Sequence, residues 1–94
     1  KNSIIKCQMA VDYSHIIAYI IYMVSDVRIK FAERLKFLRE ERNLSQEKLA
    51  LLCDIDRTYI GRIERTKRNP SLDILYKLSK GLNISLSDLF DFKL

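Results

Sequence analysis

From Val27 onward, apolar and polar residues alternate with the period of a helix, in short segments with clear starts and stops. Phe31, Leu35 and Leu38 fall at i, i+4 and i+7, which predicts a first helix over Val27 to Arg42. Asn43-Leu44 breaks it. Ser45 can cap a second helix, Gln46 to about Leu52, with Glu47 in the first turn to suit the helix dipole. Asp56 can cap a third, Arg57 to about Glu64, and Lys67 to Pro70 reads as a loop. Ser71 can cap a fourth, Leu72 to Leu82, with Asp73 in its first turn and Asn83 as a left-handed stop. Ser85-Leu-Ser-Asp88 has the form of a capping box, with Asp in place of the usual Glu, and opens a short fifth helix. One proline and two glycines in 94 residues leave few breakers. The expected fold class is all-α: five helices on short connections, with an additional apolar segment in front.

That amino-terminal segment differs in character. Residues 27–94 hold 15 of the 17 basic and 10 of the 12 acidic residues. Residues 1–26 are rich in Ile, Tyr, Met and Val, so the expected organisation is an apolar extension over 1–26 followed by one domain over 27–94. The run His15-Ile-Ile-Ala-Tyr-Ile-Ile-Tyr-Met-Val24 is short of the roughly 20 apolar residues a membrane span requires, and Asp12 and His15 interrupt it upstream. Three readings stay open: an added packing or dimer-forming element, a membrane-associated segment, or translated upstream sequence with Met23 as the natural start. The first is the expectation carried forward.

The length suits one domain, and a net charge of +5 favours an anionic partner such as nucleic acid or a membrane surface. Two cysteines, Cys7 and Cys53, make no disulfide framework, which points to a reduced, cytoplasmic setting. A single histidine and the lack of a Cys-x-x-Cys give no metal site. A Cys7–His15 catalytic pair has nothing beside it to orient the base. The expectation is therefore a binding protein, not an enzyme, without cofactor or small-molecule substrate.

Charge concentrates around helix three: five basic residues and one acidic residue lie between Arg57 and Arg68. Only Cys53-Asp-Ile55 and the cap separate helices two and three, and so short a turn forces a sharp angle, as in a helix-turn-helix. Ala50 suits the point of closest approach. With Ile55, Ile60 and Ile63 turned inward toward Leu49, the residues left outward are Arg57, Thr58 and Arg62. The amino end of such a helix enters the major groove. Arginine can grip guanine O6 and N7 in a fork, and a threonine methyl can meet the thymine methyl. Gln46 opens helix two, where backbone N–H groups favour an anion. Tyr59 offers a hydroxyl, while Arg65, Lys67 and Arg68 lie where long cations can track a phosphate backbone.

Residues 31–90, about two thirds of the chain, resemble the lambda-repressor/Cro type of helix-turn-helix domain, the XRE family. The likeness runs through Leu38-Arg39, Leu44-Ser-Gln46, Lys48-Leu-Ala50, Thr58-Tyr-Ile60, Ile63-Glu64, Arg68-Asn-Pro-Ser71 and Leu86-Ser-Asp-Leu-Phe90. More narrowly, Asp56-Arg-Thr-Tyr-Ile60 followed by Ile63-Glu-Arg65 resembles the controller proteins of restriction–modification systems, small dimeric regulators that bind operator repeats and time endonuclease expression. The resemblance implies base contacts from Arg57, Thr58 and Arg62, and phosphate contacts from Gln46, Tyr59, Arg65 and Arg68; Lys67 joins the phosphate set on its place in the loop alone. The resemblance also implies a structural pair between Arg39 and Glu64 that pins the reading helix to the body. The expected partners are double-stranded operator DNA with inverted repeats and a second copy of the chain, with RNA polymerase a candidate third. A phage-type repressor, an antitoxin and a protein-interaction module on the same fold are the alternatives.

Three positions depart from the family pattern. Asp54 stands where the turn usually has Gly, and Asp tolerates the left-handed region. Gly61-Arg62 replaces a frequent Ser-Gly. Residues 1–24 have no counterpart in the minimal domain. Finally, Tyr76, Leu86, Leu89, Phe90 and Phe92 exceed what five short helices need to bury, so they are expected to form a dimer interface.

Overall fold

The computed structural model describes the backbone of residues 2–94 and the side chains of residues 13–21 and 27–94. Five helices follow one another: α1 (Asn2–Glu41), α2 (Gln46–Cys53), α3 (Arg57–Glu64), α4 (Leu72–Leu82) and α5 (Leu86–Leu89). All four expected domain helices after the first start at the expected residue. Each starts because a cap side chain takes a free backbone N–H. Ser45 accepts from the Lys48 amide, Asp56 from Thr58, Ser71 from Ile74 and Ser85 from Asp88.

The first helix differs from the expectation. It does not begin at Val27 but runs unbroken from Asn2, through the 26/27 position where the composition shifts. Ser25-Asp26 can cap a helix, but neither residue forbids one. The shift therefore marks a change of surroundings along a single helix. Every described side chain over 13–21 is exposed, whereas Phe31, Ala32, Leu35 and Leu38 are buried. No helix among the described residues is long and apolar enough to cross a membrane. The side chains of Cys7 and Met23 lie outside the described residues.

The core is built from one face of each helix. Leu35, Leu49, Ile60, Ile63, Leu78 and Leu89 are sealed from solvent, and each such side chain contributes roughly 1.5–3 kcal/mol of burial. Phe31, Leu38, Ala50, Cys53 and Leu82 complete the cluster. Burial pushes the Cys53 thiol up to about 11, so it sits in the core as an uncharged small side chain. Arg34 ties α1 to the far end of the chain by donating from Nη2 to the Asp88 carbonyl at 2.7 Å.

Leu89 requires a correction. Expected at a dimer interface, it is fully buried within its own chain and belongs to the core that α5 closes. Leu86 and Phe92 are half-buried against the same core. Tyr76 (54% exposed) and Phe90 (40%) keep substantial apolar surface in solvent.

Candidate nucleic-acid interface

The α2–α3 turn sets the angle of α3. α2 ends at Asp54, whose φ of 56° and ψ of 49° are left-handed. Its amide and that of Ile55 return to α2, with Ile55 N–H donating to the Ala50 carbonyl at 2.9 Å. Lys77 of α4 donates to the Asp54 carbonyl at 3.4 Å, satisfying an outward-facing acceptor of the turn. Asp fills the position usually held by Gly, and the turn forms.

Closeness of α2 to α4 depends on Gly81. A Cβ on that residue would lie 2.2 Å from Cys53 Sγ and 3.1 Å from Cys53 Cα and N. The two helices approach there backbone to backbone, and only glycine fits. By composition the two glycines are merely scarce breakers. The more informative signal was that both stand inside helical patterns, where a glycine is unfavourable unless something comes close.

With α2 so placed, α3 buries Ile60, Gly61 and Ile63 and tucks Tyr59 and Glu64 partly in. Arg57, Thr58 and Arg62 are all exposed. Arg57 is the first residue of the helix and Thr58 the second, so both stand at the amino end; Arg62 follows Thr58 by four residues on the same face. The structure brings these three together on one surface. Tyr59 is half-buried, and the Arg68 guanidinium lies over its ring at 4.9 Å from the centroid. This is a cation–π arrangement that fixes one loop cation against the helix. Arg65 and Lys67 are exposed beside it.

Beneath this surface runs a buried charged network. Arg39 of α1 donates from Nε to Glu64 Oε2 at 2.7 Å and from Nη2 to Oε1 at 2.9 Å, a bidentate fork. The two side chains are only 11% and 4% exposed. The hydrogen bonds that Arg39 donates to the Glu64 carboxylate raise its pKa above the ordinary value, and the guanidinium stays charged at every accessible pH. Arg39 Nη1 also donates to the Leu44 carbonyl at 2.8 Å, just past the end of α1. Gln46 joins the network, its Nε2 donating to Glu64 Oε1 at 3.0 Å. The expected Arg39–Glu64 pair is thus present with a third member. The Gln46 amide is held by Glu64, with one N–H spent internally and one left over.

The chain matches the helix-turn-helix family model over residues 35–89. It is 46% identical over 71 residues to control protein C.BamHI of Bacillus amyloliquefaciens, covering 74% of this chain and 88% of that protein. It is 52% identical over 68 residues to control protein C.MunI of a Mycoplasma species, covering 71% of this chain and 92% of that protein. The crystal structure of the restriction–modification controller protein C.AhdI from Aeromonas hydrophila superposes with a TM-score of 0.65 at 46% identity, over 67% of this chain and 96% of that one.

Proposed function

The chain belongs to the helix-turn-helix family, and from that premise we propose that it is a restriction–modification controller that reads a specific operator as a symmetric dimer. That it is a DNA-binding transcriptional regulator and not an enzyme follows from its relatives. The operator reading rests on one observation above all. Arg57, Thr58 and Arg62 share an exposed face at the start and flank of α3, while the opposite face is buried. In this reading the two arginines and the threonine meet base edges in the major groove. Tyr59, Arg65, Lys67 and Arg68 meet phosphates along the flank, with Gln46 at the amino end of α2.

The dimer uses the apolar surface left by Tyr76 and Phe90, extended by the partly buried Leu86 and Phe92. Two reading helices then address half-sites one helical turn apart, about 34–36 Å. RNA polymerase is a candidate partner at the same promoter, in a cytoplasmic setting. The extension over residues 1–26 stands outside the domain that reads DNA.

Selection from a random duplex pool tests this function. Gel-shifted DNA is sequenced, and the mass of the complex is measured by light scattering. A short inverted repeat bound by two copies is the expected result. Binding without sequence enrichment would leave a general DNA-binder, and a single copy on a single half-site would remove the dimer.

A further inference from the structure

A recess of about 130 Å³ opens where α1, α3, α4 and the segment after α5 meet. Its wall is mainly apolar, with Phe31 from α1, Ile63 from α3, Leu75 from α4, and Phe90 and Phe92 beyond α5. The polar side chains that border it are Arg28, Arg68 and Asn69, and no carboxylate stands among its lining residues. A hollow of this size suits one ring: an apolar cavity of about 150 Å³ binds benzene.

The recess also carries an unmet polar demand. Arg28 Nε is buried and has no hydrogen-bond partner among the described residues. Buried donors are nearly always paired, because taking one out of water without supplying an acceptor is costly. Arg68 cannot answer that demand. It is a second cation with no acceptor to offer, and its guanidinium already lies over the Tyr59 ring.

The two features together restrict the occupant. An apolar side chain from a second copy would fill the space and leave Arg28 Nε unpaired. An Asp or Glu side chain would supply the acceptor, but its one or two methylenes would leave the apolar space unfilled. An aromatic ring bearing a carboxylate satisfies both.

We infer that this recess is a binding site for a small aromatic carboxylate, its ring among Phe31, Leu75, Phe90 and Phe92 and its carboxylate on Arg28. The Nε edge of a guanidinium takes a carboxylate in a two-bond fork, and the positive charge of Arg68 favours the same anion. Arg57, Thr58 and Arg62 do not border the recess, so the inference stands apart from the operator reading.

The test uses the full chain with benzoate as the probe. Toluene supplies the ring without the charge, and acetate the charge without the ring. Binding is followed by NMR shifts of the backbone amides and of the arginine Nε–H groups, and thermal unfolding is recorded for each protein. Benzoate is expected to saturate, to bind more tightly than either control, and to shift Arg28 Nε–H together with the amides of Phe31, Leu75, Phe90 and Phe92. Arg28→Met keeps an apolar stem and deletes the orphaned donor. It is expected to weaken benzoate roughly 10- to 100-fold, the worth of one charge-assisted hydrogen bond, while leaving toluene unchanged. Its melting temperature should hold, since no partner is lost with the donor.

Benzoate binding no tighter than toluene, equal losses of both ligands in Arg28→Met, or shifts confined to residues away from the recess would each overturn the inference. So would a lack of saturable benzoate binding, the result expected if a second copy covers the recess. Should Arg28→Met fail to fold, the ranking of the three probes on the unmutated protein decides alone.

Discussion

Thr66 sits between the exposed cations Arg65 and Lys67 with φ at 59°, in the left-handed region. Among the described residues, the other non-glycine positions there are Asn43, Asp54 and Asn83, whose short polar side chains tolerate it. Threonine is β-branched and does not. A left-handed conformation costs an L-residue roughly 1–2 kcal/mol, and branching places threonine toward the upper end. The compensation visible is small: Thr66 Oγ1 donates to the neighbouring Arg65 carbonyl at an exposed site. Thr66→Gly removes the strain and adds about 0.5–1 kcal/mol of unfolded-chain entropy, so the net gain is about 1 kcal/mol. In a domain of this size that raises the melting temperature by roughly 4–8 °C. Thr66→Asn should recover part of the gain. Thr66→Ala should recover little, because it keeps a Cβ in the left-handed region. The assay is thermal unfolding of the four proteins side by side. Alanine equal to glycine, or glycine no better than threonine, would refute the strain argument.

Arg39→Ala leaves the Glu64 carboxylate buried without its partner and should cost about 3–5 kcal/mol in urea unfolding. Replacing both, as Arg39→Met with Glu64→Leu, should recover most of that stability while weakening DNA binding through the loss of the Gln46 anchor. Gly81→Ala forces a methyl into Cys53 and should cost about 1–3 kcal/mol of overpacking, offset by about 1 kcal/mol of helix propensity; the melting temperature should fall, and Cys53→Ala should restore only part of it, because backbone atoms of Cys53 also lie too close. Arg57→Ala should relax base preference at about 1–3 kcal/mol, whereas Arg68→Ala should weaken all duplexes alike, as competition binding on operator and random DNA will show. Deleting residues 1–22 should leave the unfolding transition intact, since every described side chain over 13–21 is exposed; a collapsed transition would place that segment in the core.

Local features were legible in the sequence because their causes are local. Ser45, Asp56, Ser71 and Ser85 cap the four helices expected of them, each through a hydrogen bond spanning two or three residues. The outward set Arg57, Thr58 and Arg62 followed from helical period alone. The Arg39–Glu64 pair came from family resemblance, since nothing in the spacing of residues 25 apart announces a contact. What was missed depends on tertiary packing. The start of α1 could not be fixed because Ser25-Asp26 permits both a cap and a continuing helix. Leu89 looked surplus until α5 was seen to fold its one buried leucine into the cluster around Leu35 and Leu78. Gly81 owes its identity to atoms 28 positions away in sequence, those of Cys53.

The positive charge of this domain is divided between two tasks, and burial decides which. Arg39 gives the Nε–Nη2 edge of its guanidinium to Glu64 and Nη1 to the Leu44 carbonyl, so its charge is paired inside the fold. Arg57, Arg62, Arg65, Lys67 and Arg68 are exposed. A buried ion pair is weak evidence for stability, because desolvation consumes most of the Coulombic gain. Its consequence here is geometric. Glu64 is the last residue of α3, Arg39 belongs to α1 and Gln46 opens α2, so one carboxylate fixes three helices at a common point directly beneath the exposed cations. Rigid placement matters for a reader of DNA, since a bidentate contact to a base edge tolerates little displacement. The same carboxylate also supplies the only negative charge among the cations of α3 and the following loop, and its burial keeps that charge off the exposed face that carries them.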